Sequence, residues 1–187
     1  MSDFIPLLND DKKFLLKVAR DTLNIFFQTQ KFPDFETTSK AVLEKRPAFV
    51  TLRKKITNEL RGCRGETTAR RPLMDSVQRM VVASAIDDPR FDPVTLKEIK
   101  DLHIEINALT PMHLVSADEV VVGKHGLMIV KDFYAGLLLP SVPLQYNWDK
   151  NTFLDQLCIK AGLPKGTWKT HKIDLYAFES EEWGEDE

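Results

Sequence analysis

Apolar residues recur at near-helical spacing early in the chain. Phe14, Leu15, Val18, Ala19, Leu23, Ile25 and Phe26 predict a helix over residues 11–29, with Asn9, Asp10 and Asp11 as caps. Residues 30–47 are mixed and polar, contain Pro33 and Pro47, and read as a long connection. A β-rich run follows at 48–52, the polar stretch 53–58 turns it, and 59–63 returns as the second arm of a hairpin. Pro72 suits the first position of a helix reaching about Ile86, because its missing N–H is an orphan there anyway. Leu73, Val77, Met80, Val81 and Ser84 or Ala85 mark that helix's buried stripe, and Asp87-Asp88-Pro89 ends it.

The second half is richer in strand patterns. Thr95 is placed to cap a short turn before a strand at 102–109. There Leu102, Ile104, Ile106 and Ala108 alternate with His103, Glu105, Asn107 and Leu109, giving an apolar and a polar face. Residues 120–122, 123–126 and 127–130 read as strand, tight turn, strand, and 136–140 as a further short strand. Asp149 caps a helix through about Ala161, closed by Gly162, and 173–178 is a last alternating strand. The acidic tail 179–187 is expected to fray. Strands in hairpin-like pairs among helices indicate an α+β fold with a mostly antiparallel sheet and flanking helices. No repeat or low-complexity linker divides the chain, so residues 1–187 read as one domain.

Composition narrows the function classes. The formal net charge is −2, which removes the global basic field of a nucleic-acid binder, although Arg53, Lys54, Lys55, Arg61, Arg64, Arg70 and Arg71 leave room for a local patch. The aromatic residues fall at expected core positions and form no stacking platform. Two cysteines, Cys63 and Cys158, make no disulfide framework, and no ligand cluster suggests a metal or cofactor. The N-terminal residues lack the basic region and apolar core of a signal peptide, and no apolar run is long enough to span a bilayer. The expected compartment is the cytoplasm, with no membrane partner.

Three places carry candidate chemistry. In Arg61-Gly62-Cys63-Arg64-Gly65 the glycines allow close approach to the backbone, and positive charge beside a thiol favours thiolate. If 59–63 is extended, Arg61 and Cys63 point to one face. The competing reading is a tight turn with a packed cysteine and two solvated arginines. Gly123-Lys124-His125-Gly126 holds a histidine able to titrate near neutral pH, against the reading of a plain hairpin turn. Glu105 lies on the polar side of its strand, which ordinarily means a solvated sheet face. Cys158 falls on the apolar stripe of its helix and reads as core, whereas His103, His113 and His171 read as isolated surface residues.

Several segments together resemble the AMMECR family, from about residue 48 to 178. They are Leu60-Arg61-Gly62-Cys63-Arg64-Gly65, matching the family's Leu-Arg-Gly-Cys-x-Gly hallmark, Asp88-Pro89-Arg90-Phe91, the strand 102–109 with Thr110-Pro111, and Gly123-Lys124-His125-Gly126-Leu127. Leu138-Leu139-Pro140, the stretch 148–158 and 160–164 complete the series. Arg64 and Asn107 depart from the pattern, standing where the family commonly has an uncharged and a small residue. The resemblance implies an α+β fold and a shared surface for Arg61, Cys63, Glu105 and His125. It also implies a link to MEMO-type and radical-SAM proteins in a modification pathway. Two functions follow as expectations. One is a binding or adapter module using Arg61, Gly62, Arg64, Gly65 and Lys124 toward a partner or small anion. The other is an enzyme with Cys63 as nucleophile, His125 as general base, Glu105 orienting the histidine, Arg61 holding an anionic substrate and the 62–65 amides stabilising an oxyanion.

Overall fold

The computed structural model describes residues 5–170 and 172–185. His171 and the chain ends beyond these limits therefore lie outside the description. The α+β class with antiparallel sheets holds: helices accompany two four-stranded sheets. Residues to Leu109 together with 181–185 form one compact unit, and Thr110–Ser180 form a second. Each unit has its own hydrophobic core. The chain crosses between the units twice, after Leu109, where composition does not change, and after Ser180, at the start of the acidic tail.

In the first unit, α1 (Asn9–Thr29) and α3 (Leu73–Ile86) pack against a sheet of β1 (Ala48–Lys54), β2 (Leu60–Gly65), β3 (Leu102–Leu109) and β8 (Ser180–Gly184), in the order β2-β1-β3-β8. The strand period puts Val50, Leu52, Ile104 and Ile106 on the inner face, where they meet Leu15, Val18 and Leu23 of α1 and Val77 and Val81 of α3. Pro72 caps α3 from one position outside it, one residue from the expected place. The connection 30–47 contains a short helix, α2 (Lys40–Leu43), whose first turn is closed by the Ser39 hydroxyl accepting from the Val42 N–H.

The second unit orders β4 (His113–Leu114), β7 (Asp174–Phe178), β5 (Gly126–Lys131) and β6 (Tyr134–Leu138) as β4-β7-β5-β6. A short helix α4 (Ser141–Gln145) leads to α5 (Lys150–Lys160), which packs on β5 and β6 and is capped by the Asp149 carboxylate at 2.7 Å from the Thr152 N–H. Phe153, Leu154, Leu157 and the fully buried Cys158 meet Leu127, Ile129, Leu175 and Ala177. Residues 120–122 are not the expected strand. Only Val120 of the three valines is buried, so the β-branched run has no second apolar face to fill. The hairpin lies later, between β5 and β6, where Asp132 takes φ of 53° in a two-residue turn.

The acidic tail is the larger correction, for it forms β8. Trp183 of this strand is buried and its indole N–H donates to the Lys12 carbonyl at 3.1 Å. Glu181 accepts from the guanidinium of Arg46 at 3.2 Å, and Glu185 forms a forked ion pair with Arg20 while accepting the Ile104 N–H at 3.0 Å. Arg46 is 0% exposed and also donates to the carbonyls of Leu109 and Ala108. Burial pushes its pKa down, opposed chiefly by Glu181 and then by Glu44. Acidic composition suggested fraying only because the counter-charges stand 135 and 165 residues away in sequence.

Glu181→Ala leaves the buried Arg46 charge without its main partner and is expected to destabilise the protein by about 3 kcal/mol. The double variant Arg46→Met, Glu181→Leu is expected to recover most of that loss in urea denaturation. A single variant as stable as the parent would show that the pair does not hold the C-terminal strand.

Candidate functional site

The edge strand β2 is shaped by a bulge. Leu52 pairs with Gly62 and Arg53 with Leu60, so Arg61 has no partner on β1. A bulged residue is re-aimed, and the Arg61 side chain goes to the segment after α3 instead of lying beside Cys63. Its Nε donates to Glu98 Oε1 at 3.0 Å and an Nη to the Asp92 carbonyl at 2.9 Å, leaving it 9% exposed. Burial works against ionisation of Glu98, but the Thr95 N–H and Arg61 outweigh it and hold its pKa below the usual value. The expectation that Arg61 and Cys63 share a face fails at the bulge, and the Arg61 charge is spent inside the unit.

Gly62 is set by space. A Cβ there would lie 2.0 Å from the Ser84 carbonyl oxygen of α3. The close approach lets the two following amides be satisfied by the helix and its exit. The Cys63 N–H donates to Asp88 Oδ2 at 2.8 Å, and the Arg64 N–H to Ser84 Oγ at 2.8 Å, whose own hydroxyl donates to the Val50 carbonyl. Asp88 also accepts the Arg90 N–H and two guanidinium N–H groups, at 2.9 and 2.6 Å. These Arg90 bonds, opposed by burial and helped by the Cys63 amide, hold the Asp88 carboxyl far below the usual carboxylate range. Two of the amides expected to serve an oxyanion, those of Cys63 and Arg64, are therefore occupied.

Cys63, Thr51 and Glu105 form one row across β2, β1 and β3. The Thr51 hydroxyl donates to Cys63 Sγ at 3.3 Å, and Arg53 Nε donates to both Glu105 oxygens at 2.9 and 3.0 Å. In the neighbouring row the Phe49 ring lies over Gly65, where a Cβ would come within 2.1 Å of it. Asn107 is buried there and donates to Glu182 at 3.3 Å, so the outward-facing polar stripe expected for this strand is partly covered. Arg64 is exposed and has no ion pair among the described residues. Of the basic run, Arg53, Lys54, Arg61 and Arg71 are matched by Glu105, Glu59, Glu98 and Glu66.

Lys124 and His125 belong to the second unit. Gly123 takes φ of 83° and the Lys124 and His125 N–H groups both donate to the Val121 carbonyl, closing a local turn instead of a hairpin loop. The Val121 N–H donates to His125 Nδ1 at 3.3 Å, so the neutral imidazole carries its proton on Nε2. His113 is not isolated: its ring stands edge-on to His125 with centroids 6.5 Å apart. Burial, then the charge of Lys124, pushes the His125 pKa down, with Glu179 opposing. Lys124 Nζ lies 3.4 Å from Glu179.

Of the residues singled out in sequence, the structure thus joins Cys63 and Glu105 in one sheet row and turns Arg61 and Gly62 inward. Thr51 and Asp88 were missed as contacts of Cys63, and Arg90 as the partner of Asp88. The hairpin register would have found Thr51, since it stands opposite Cys63. Among the described residues, no group of three or more His, Cys, Asp or Glu is placed to hold a metal ion, and no helix is long and apolar enough to cross a membrane.

Residues 16–183 match the family model described as AMMECR1. A protein of Methanococcus aeolicus is 37% identical over 179 residues, covering 92% of this chain and 89% of its own. Protein MJ0810 of Methanocaldococcus jannaschii is 35% identical over 179 residues, with the same two coverages, 92% and 89%. The crystal structure of the uncharacterized protein PH0010 from Pyrococcus horikoshii is similar with a TM-score of 0.84 at 36% identity, covering 92% of this chain and 90% of that one.

Gly62→Ala should cost about 3 kcal/mol in urea denaturation, because the obstructing atom is helix backbone; a neutral substitution would refute the close approach. The His125 turn has the opposite sign of a salt-bridged histidine. Its lowered folded-state pKa means that its stabilising contribution is complete above the ordinary value, about 6.5, and is lost as pH falls below it. His125→Asn keeps an acceptor for Val121, and its thermal stability should fall less than that of the parent between about pH 7 and pH 5. Parallel pH curves would contradict this reading.

Proposed function

The chain belongs to the AMMECR1 family, and we propose that it works as a binding or adapter module in a modification pathway, with MEMO-type and radical-SAM proteins as its partners. The observation that carries the reading is the internal saturation of the groups a catalyst would need free. The Cys63 and Arg64 amides are held by Asp88 and Ser84, Arg61 by Glu98 and the Asp92 carbonyl, and Glu105 by Arg53. His125 Nδ1 already accepts a backbone N–H, and a general base needs a lone pair within reach of the proton it takes. What β2 leaves accessible is the half-buried Cys63, the exposed and unmatched Arg64, and the half-buried Gly65 under the Phe49 ring. A planar, always-charged guanidinium suits recognition of a carboxylate or phosphate on a partner. Arg61 and Gly62 hold this surface in shape from behind.

The enzyme reading retains one observation. Cys63 is only half-buried, and its sulfur accepts from the Thr51 hydroxyl, a neutral partner that leaves it open to an outside base.

Arg64→Glu is expected to weaken binding of a MEMO-type or radical-SAM partner from the same organism by at least about tenfold, the scale of one lost charge-assisted contact. Its melting temperature should stay unchanged, whereas Arg61→Ala should lower it. Undiminished binding by Arg64→Glu moves the interface elsewhere. Turnover of any partner-derived substrate that Cys63→Ser abolishes decides for the enzyme.

A further inference from the structure

The hairpin joining β1 and β2 ends in a tip that the surface above does not use. Ile56 at this tip is 93% exposed. The Lys55 N–H donates to the Asp101 carbonyl at 2.9 Å, which seats the tip beside the turn preceding β3. That turn is wound three residues at a time: the Glu98 N–H bonds the Thr95 carbonyl, and the Asp101 N–H bonds the Glu98 carbonyl. At that pitch residues three apart eclipse, so Lys97 and Lys100 project from the same side. Leu96 beside them is 50% exposed.

The charges here do not cancel. Arg53, Lys54 and Arg61 are matched by Glu105, Glu59 and Glu98. Lys55, Lys97 and Lys100 are exposed and have no ion pair among the described residues, with Asp101 as the opposing carboxylate of the turn. A chain of net charge −2 thus concentrates unmatched lysines around two exposed aliphatic side chains.

We propose that this tip is a peripheral docking surface for an anionic lipid bilayer. The residue types select that occupant over an acidic protein. Protein hot spots are built on Trp, Tyr and Arg seated in matching pockets; the tip has no Trp or Tyr, and its nearby arginines, Arg53 and Arg61, are already paired with Glu105 and Glu98. A bilayer interface yields to a lone apolar knob without a pocket. Lysines, as compact charges on flexible stems, suit diffuse headgroup phosphates better than one fixed carboxylate. Attachment of this kind needs no spanning helix, and is weak and reversible. It is separate from the recognition surface on β2 and stands or falls independently of it.

The test is co-sedimentation of the full chain with vesicles of equal parts phosphatidylcholine and phosphatidylglycerol, against phosphatidylcholine alone, at about 50 mM salt. The expected result is binding to the anionic vesicles only, weakened by added salt. Each lysine near an anionic surface is worth about fivefold in partitioning. The double variant Lys97→Gln, Lys100→Gln should therefore lose more than about tenfold, and Ile56→Ser several-fold, with melting temperatures unchanged. Equal binding to both vesicle types, or variants that bind as the parent does, overturns the proposal. Displacement by millimolar inorganic phosphate would make the tip a free-anion site. Tighter binding of poly-glutamate through the same lysines would make it a protein interface. Either result also overturns the bilayer assignment.

Discussion

A buried carboxylate needs compensation, and Asp88 is only 5% exposed. Desolvating a charge costs several kcal/mol unless hydrogen bonds replace the lost water. Asp88 meets that demand with the forked guanidinium of Arg90, the Arg90 amide and the amide of Cys63. The same contacts fix the exit of α3 against the free edge of the sheet. With that edge held, Gly62 can approach Ser84, the Arg64 amide can reach the Ser84 hydroxyl, and Arg61 can cross to Glu98 and the Asp92 carbonyl. An edge strand ordinarily exposes a row of unpaired donors; here α3 and its exit take two of them.

This arrangement separates buried ties from accessible groups. Arg61, Gly62 and Asp88 are buried and set the backbone, while Cys63 and Gly65 are half-buried and Arg64 is exposed. Two arginines on either side of one cysteine look equivalent in sequence, yet one is an internal tie and the other an unmatched surface charge. The same logic governs the far edge of that sheet. Arg46 and Arg20 reach across the first unit to Glu181 and Glu185, and an acidic segment becomes a strand because its counter-charges are buried where it docks.

The elements that were legible in sequence are those whose pattern is local. The spacing of Phe14 to Phe26 marks α1, the alternation of Leu102 to Leu109 marks β3, and Asp149 with Gly162 brackets α5. What was not legible depends on partners distant in the chain. Nothing near Glu181 signals Arg46, and nothing near Cys63 signals Asp88. The valines at 120–122 carry strand propensity, but only Val120 is fully buried, Val122 packs at the margin of the core, and Val121 is exposed. The bulge at Arg61 arises from pairing with β1, so an extended strand drawn from sequence alone sends that side chain the wrong way. Cys63 and Glu105 come together because Thr51 lies between them in register; hairpin length bears on the first pairing, whereas the second joins strands that are not consecutive in the chain.

The central claim is that the edge of β2 at Cys63 and Arg64 is already hydrogen-bonded within the protein. Native-state amide hydrogen exchange at these two residues, followed by NMR, tests it most directly, since exchange reports opening of individual hydrogen bonds. The account predicts strong protection of both amides, with the Cys63 amide losing it in Asp88→Ala and the Arg64 amide in Ser84→Ala. Exchange of both amides in the native protein at the rate of a solvent-exposed loop would contradict it. The edge would then be open, and its donors would be free to serve a bound anion or a reacting group.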